Sequence, residues 1–526
     1  MGGCIKPGKI AGLFFMGWLI PALAIGQIDG MVLFSCLEPS GPVTNLVNGS
    51  GATVHNWQHQ QSNVGGPQFV GDSTLFYQYR VENPSMISGG EGGGIQMLDW
   101  FGTLLWDVTI SSDSVQHHHD AQWLDNGNIL LLAWERKTGQ DAQEAGRQTL
   151  ENTLNQMWSE IILEVAPVYP DSYEVVWAWH LWDHLIQDAD SLLPNYGQIS
   201  QHPERMNINF GTVGGLNAPN TSNADWLHFN SLDYNPYLDQ ILISARNSNE
   251  IYIIDHSTTT DQAAGHSEGN HGRGGDFLYR WGNPEAYGMG DSLDKKLFWN
   301  HEANWIDNNC PDSGKVMIFN NGYRRIGPDY SSIEILVIPD SLRLNNTGTY
   351  DPPQFFSTMV LDDSLFITRI GGAFQLPDGS ILASISLRNR IIEFDPGGGI
   401  VWQYETYSHL SVARKYYHFQ NTGLEIKSMP VSVAGAFQIF DNYPNPFNPV
   451  TQINYFLFKS SMVNISIYDL LGRKIKTLVN QTQESGYRSI YWNATNDIGK
   501  TLGAGIYVYQ IQASGFMRSG KMVLLK

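Results

Sequence analysis

The chain has 526 residues, and so great a length predicts more than one domain. Its net charge of −20 would repel a phosphate backbone, which excludes nucleic acid as a partner. Long amphipathic helical patterns are scarce, while short β-rich runs broken by Gly, Asn and Asp recur throughout, so the predicted fold class is all-β.

Residues 1–26 read as a cleavable secretory signal, with Lys6 and Lys9 ahead of an apolar stretch from Ile10 to Ile25 and small residues at Ala22 and Ala24. Pro21 interrupts that stretch, which is too short to favour a permanent span, and no transmembrane span is expected in the mature chain. Cleavage near Ala24 removes Cys4 and leaves Cys36 and Cys310, whose pairing the sequence leaves open.

Residues 27–428 carry a repeating unit. Its inner hairpin runs from Pro67 to Val81, His119 to Glu135, His228 to Asn247, His301 to Gly322 and Gly371 to Asn389. Its outer hairpin is clearest at Ile95 to Thr109 and Ile391 to Glu405, and a Gly/His-rich insertion interrupts the version starting at Ile251. Asp-Gly and Asn-Gly between alternating strands mark hairpins, and four strands per unit describe propeller blades. Five clear units and a sixth predict a six-bladed β-propeller, in which residues distant in sequence meet at the axis. The expectation is that His119, His228 and His301 hold one repeat position and face a common cavity.

The second of these units adds two groups. His228 and Arg246 are equidistant from Tyr237, inside the turn Asn235–Gln240, so an antiparallel hairpin sets them side by side. Asn230, two residues on, points to the same face as His228. A neutral imidazole is a competent nucleophile near neutral pH, and guanidinium and amide groups hold anionic oxygens, so the set suits transfer of a sulfuryl or phosphoryl group. Alternation would point His118 away. His202, His256, His266 and His271 read as structural, and Gly89–Gly94 as a plain loop. No cofactor is expected, although convergent imidazoles leave a metal-dependent hydrolase or lyase as an alternative, beside a non-catalytic surface-binding propeller.

Residues 429–526 change character. Alternating strands with turns at Leu471–Arg473 and Gly503–Gly505 describe a small Ig-like β-sandwich. Its entry, Asn442-Tyr443-Pro444-Asn445-Pro446-Phe447-Asn448-Pro449, resembles the type A C-terminal sorting domain of the type IX secretion system. That resemblance implies the secretion machinery as a partner and export through the periplasm to the outer-membrane surface or the medium.

The stretches HHDAQWLDNGNILLLAWE, DWLHFNSLDYNP with ILISARN, and HEANWID resemble the arylsulfotransferase family of secreted propellers. The resemblance implies an arylsulfate sulfotransferase moving a sulfuryl group from a phenolic sulfate ester to a phenol by a ping-pong route. No nucleotide sulfate donor takes part in that family. It further implies that His301 is transiently sulfurylated, that His228, Asn230 and Arg246 form the sulfate-binding and acid/base set, and that His119 is a further active-site histidine. This chain departs from the family pattern in having Asn300 and Glu302 on either side of His301, and a short or missing N-terminal β-domain.

Overall fold

The computed structural model describes residues 24–25, 28–71, 73–214, 222–339, 342 and 352–417, and then 437–439, 442, 445–457, 460–469, 472–483, 486–513 and 516–525. The expected signal lies outside these residues except for Ala24–Ile25, a short strand that pairs with Gln403 and Tyr404. Among the described residues no helix is long and apolar enough to cross a membrane.

Between Met31 and Tyr416, six antiparallel four-stranded sheets follow one another along the chain, the last gaining Ala24–Ile25 as a fifth strand. The five hairpins read from sequence begin five of them. The remaining sheet joins the two ends of this region: Met31–Glu38, Gly41–Asn48 and Thr53–Gln58 are completed by Arg414–Tyr416, which pairs with Met31, Val32 and Leu33. Turn chemistry explains the tight hairpins. Gly127 and Gly379 take φ of +88° and +86°, and the Asn235 carboxamide accepts from the Tyr237 and Leu238 amides. Trp106, Trp134, Trp158, Trp179, Trp226, Trp281, Trp402 and Trp492 are fully buried and Trp57 and Trp177 nearly so, so ten of the sixteen tryptophans serve packing.

The innermost strands place the site. Each has one edge without a strand partner, and in the sheets that begin at Phe229 and His301 side chains of the preceding sheet satisfy its amides. Asp120 accepts from Leu232 N at 3.1 Å and Gln122 from Tyr234 N at 2.9 Å. Ser231 accepts from Ala303 N at 2.9 Å and Asp233 from Trp305 N at 2.7 Å. These bonds make Asp120 equivalent to Ser231, and Leu232 equivalent to Ala303. One residue earlier, His119, Asn230 and His301 are therefore the equivalent positions. The expectation that His228 shares the repeat position of His119 and His301 is corrected: His228 stands two residues before it.

Cys36 and Cys310 are both free thiols, buried in different hydrophobic clusters. The C-terminal residues form a three-stranded and a four-stranded antiparallel sheet. Ile453, Tyr455 and Leu457 of the first share a core with Val463, Ile465 and Ile467 of the second. That core draws only on residues 447–524.

Candidate active site

The hairpin arithmetic at His228 holds. Phe229 pairs with Ala245, and Arg246 N donates to His228 O at 3.1 Å. His228 has φ of +59° and His119 of +53°, so both leave regular strand geometry where their rings meet. The two imidazoles stand edge to face with centroids 4.4 Å apart. Arg246 and His301 both lie close enough to these two rings to disfavour their protonation, which puts all four groups in one constellation.

Each histidine has a defined partner on one nitrogen. His301 Nδ1–H donates to Asn321 Oδ1 at 2.7 Å. Asn321 is itself oriented, since its Nδ2 donates to Ile370 O at 2.9 Å and Ile367 O at 3.2 Å. With the carboxamide oxygen so aimed, the lone pair of a neutral His301 sits on Nε2. His228 Nδ1–H donates to Asp225 Oδ2, which also accepts from Ser88 Oγ at 2.9 Å. That leaves Nε2 of His228 to exchange a proton.

His118 does not turn away, because the left-handed backbone at His119 breaks the alternation. Its Nδ1 lies 2.9 Å from His119 Nδ1, and its Nε2 lies 3.0 Å from Glu160 Oε2. Glu160, His118 and His119 thus form one line of hydrogen bonds, in which a proton moved at one end changes the tautomer at the other.

Burial dominates the electrostatics. It holds His119 and His228 well below the ordinary histidine value, assisted by the surrounding positive charge. Burial, then Arg246, pushes His301 down to about 3. The same desolvation raises Asp225 and lifts Glu160 well above the carboxylate range. The imidazoles are therefore neutral near pH 7, as nucleophilic and basic roles require.

Arg246 lies over the Trp299 ring at 4.7 Å, and its Nε donates to Asn247 Oδ1 at 3.2 Å. Among the described residues it forms no carboxylate ion pair within 4.0 Å, which leaves its terminal N–H groups for an anionic guest. Burial brings its pKa down to about 10, so it remains a cation at neutral pH. One N–H of Asn230 donates to Asn300 O at 2.8 Å, while its Oδ1 is buried without a partner.

The residue pattern gave no hint of several contributors. Asp225, Glu160 and Asn321 orient the rings, and the exposed Arg369 adds charge felt by Arg246 and His301. Gly89–Gly94 is more than a plain loop. A Cβ on Gly90, whose φ is +78°, would fall 2.1 Å from His119 Nε2, and one on Gly89 would touch His228 at 3.6 Å. The Gly repetition was the available signal.

Behind the histidines, Asp120, Asp233 and Glu302 face Arg414 from the ring-closing strand. Burial raises their pKa values to about 6, about 7 and about 8 respectively. Glu302, the departure beside His301, thus belongs to this neutralised acidic group.

Residues 72–333 match the arylsulfotransferase (ASST) family, and residues 441–525 match the secretion system C-terminal sorting domain. No curated protein matches the chain. Among solved structures, a protein of unknown function from Bacteroides caccae is 11% identical, covering 74% of this chain and 100% of its own, with a TM-score of 0.40. The Pseudomonas aeruginosa periplasmic gluconolactonase PpgL is 13% identical, covering 88% and 99%, with a TM-score of 0.36. The β-propeller domain of Myceliophteria thermophila Cps50 (Swd1) is 11% identical, covering 74% and 92%, with a TM-score of 0.36.

Proposed function

We propose that this chain, whose residues 72–333 match the arylsulfotransferase family and whose residues 441–525 match the secretion sorting domain, is an exported aryl-sulfate sulfotransferase that works by a ping-pong route through a sulfohistidine at His301. The observation that carries this reading is the Asn321 hydrogen bond to His301 Nδ1, which leaves Nε2 as the lone-pair nitrogen in a cluster of positive charge.

In the first half-reaction the Nε2 lone pair attacks sulfur, the N–S bond forms, and the S–O bond to the aryl group breaks with its electron pair on the leaving oxygen. That oxygen takes a proton from His228 Nε2, which picks the proton up from solvent as the donor binds, because the sulfate's negative charge offsets the burial and the Arg246 charge that keep this imidazole neutral in the empty site. In the second half-reaction the acceptor phenol attacks sulfur, its proton passes to His228, and the N–S electron pair returns to His301. Arg246, the second N–H of Asn230, and His119 hold the equatorial oxygens as charge redistributes. Asp225 keeps His228 in the required tautomer.

This reading goes with a six-bladed propeller over residues 27–428, an Ig-like sandwich over 429–526 and a leader over 1–26. It is supported by six successive sheets, the first completed by a strand that follows the last, and by the separate C-terminal core. Donor and acceptor are a small phenolic sulfate ester and a phenol.

The test is to quench the enzyme during turnover of a chromogenic aryl sulfate and map the peptides by mass. The expected result is sulfuryl mass on the His301 peptide, faster phenol release when a second phenol is added, and no turnover by His301→Ala. Wild-type rates equal to those of His301→Ala would instead favour a non-catalytic scaffold. Loss of activity on exhaustive chelation, restored by metal, would favour a metal-dependent hydrolase.

A further inference from the structure

Between these histidines in sequence, two imidazoles and a carboxylate converge where two neighbouring sheets meet. His184 ends a short 3-10 turn, Leu181–His184, that follows the last strand of one sheet. His266 and Asp276 bound the Gly/His-rich insertion between the third and fourth strands of the next. His184 Nδ1 and His266 Nδ1 each lie 2.8 Å from Asp276 Oδ1. The three donor atoms all fall within 4.8 Å of one another, and no other group of such donors does so among the described residues.

His184 has an acceptor on each side of its ring. Its Nε2–H donates to Ala263 O at 2.8 Å, and its Nδ1 faces the Asp276 carboxylate, a contact that a proton or a bound cation can satisfy. His266 Nδ1 is aimed at the same carboxylate oxygen. A metal ion can take the place of the protons that otherwise bridge these contacts. A histidine whose far nitrogen donates to a backbone carbonyl, with its near nitrogen turned to shared donors, is how proteins prepare an imidazole to bind metal.

The surroundings fit. His184 and Asp276 are buried and fix the site, while His266 is exposed and leaves one side open to solvent for entry and for a bound water. A Cβ on Gly275 would fall 2.1 Å from Ala263 O and 2.7 Å from His184 Nε2, so glycine there allows the loop to close over the ring. Arg205 Nε, 3.8 Å from Asp276 Oδ2, balances the other carboxylate oxygen.

We infer that His184, His266 and Asp276 form a divalent-metal site that clips the insertion of one sheet to its neighbour. Two imidazoles and one carboxylate, with a fourth position for water, suit a borderline ion of the zinc class. The site is distinct from the sulfuryl-transfer centre, and its role is structural.

The experiment uses the mature full-length protein. After exposure to zinc and dialysis, elemental analysis is expected to give one zinc per chain, and adding zinc to the chelated protein to raise its melting temperature by a few degrees. His266→Ala, at an exposed position that does not endanger folding, and Asp276→Asn are expected to weaken zinc binding at least tenfold in competition with a chromophoric chelator. His409→Ala, at another exposed histidine, should not. A wild-type protein that retains no zinc and shows no thermal shift would mean that protons alone bridge the cluster, and would overturn the inference. So would His266→Ala binding zinc as the wild type does. Sulfuryl transfer is read separately, so failure here leaves the proposed chemistry intact.

Discussion

His301 Nδ1 lies 2.7 Å from Asn321 Oδ1, and in the proposed reaction this bond leaves Nε2 as the nitrogen that meets the substrate. Leu at position 321 removes the acceptor and frees the ring to take either tautomer. We expect Asn321→Leu to lower kcat on the order of ten- to a hundredfold, the range seen when a group that orients a functional histidine is lost. Sulfurylated His301 should still be trapped, only more slowly. An unchanged kcat would show that the bond does not set the tautomer.

Asp225 does the corresponding work at His228. Asp225→Asn keeps the shape but presents an amide in place of the carboxylate, stabilising the wrong tautomer and removing the charge that supports the imidazolium. By analogy with other carboxylate–histidine pairs, kcat should fall on the order of a thousandfold. Donors with poor leaving groups should suffer most, because they depend on the proton from His228. Equal losses for nitrophenyl and phenyl sulfate would assign Asp225 a purely structural role.

What the sequence made legible follows from local arithmetic. His228 and Arg246 were placed side by side because antiparallel pairing about a known turn is counted in residues, and the structure reaches that pairing through the bulge at Asn230, without which the register nearer the turn would set His228 opposite Asn247. The equivalence of His119, Asn230 and His301 was not legible. The connecting turns after Trp123, Asn235 and Trp305 differ in length, and the common register appears only in bonds between sheets. His118 was misjudged because alternation assumes regular strand dihedrals, which end at His119. Asn321, Asp225 and Arg369 lie outside any repeated pattern, and only folding brings them to the rings.

The pH dependence follows from burial. His301 titrates at about 3, so its nucleophilic form persists through the weakly acidic range. With a nitrophenyl donor, whose phenol leaves as the anion, kcat/KM should lack an acidic limb near pH 6.5 and should fall only well below it. A limb centred on 6.5 would mean that the nucleophile is a solvated histidine elsewhere.

Stability has its own pH window at His256, which bridges Asp239 Oδ1 at 2.7 Å and Glu164 Oε2 at 2.9 Å. Burial opposes its charge, yet the two carboxylates win and raise its pKa from 6.5 to about 9. A raised histidine pKa gives stability that is fully present below 6.5 and lost as pH rises through about 9. The ring also packs edge-on against Trp177 and Tyr234, so His256→Gln removes charge and contact together. The variant should melt below the wild type at pH 6, with the difference shrinking by pH 9.5. A constant difference would assign the effect to packing alone.

Arg369 provides the last prediction. The loop that carries it is fastened by Asn321, which donates to Ile367 O and Ile370 O on either side of the arginine, so one side chain orients His301 and holds this loop. Arg369 is exposed, and its charge bears on Arg246 and His301. A solvent-exposed cation at the edge of an anion site strengthens substrate capture more than the chemical step, because water screens it until the substrate arrives. Arg369→Ala should raise KM for an aryl sulfate about three- to tenfold with kcat nearly unchanged, and Arg369→Lys should recover most of the loss. The effect should weaken as salt is added. If Arg369→Ala lowered kcat with KM intact, the guanidinium would be acting on the transition state itself, and the anion site would include two arginines.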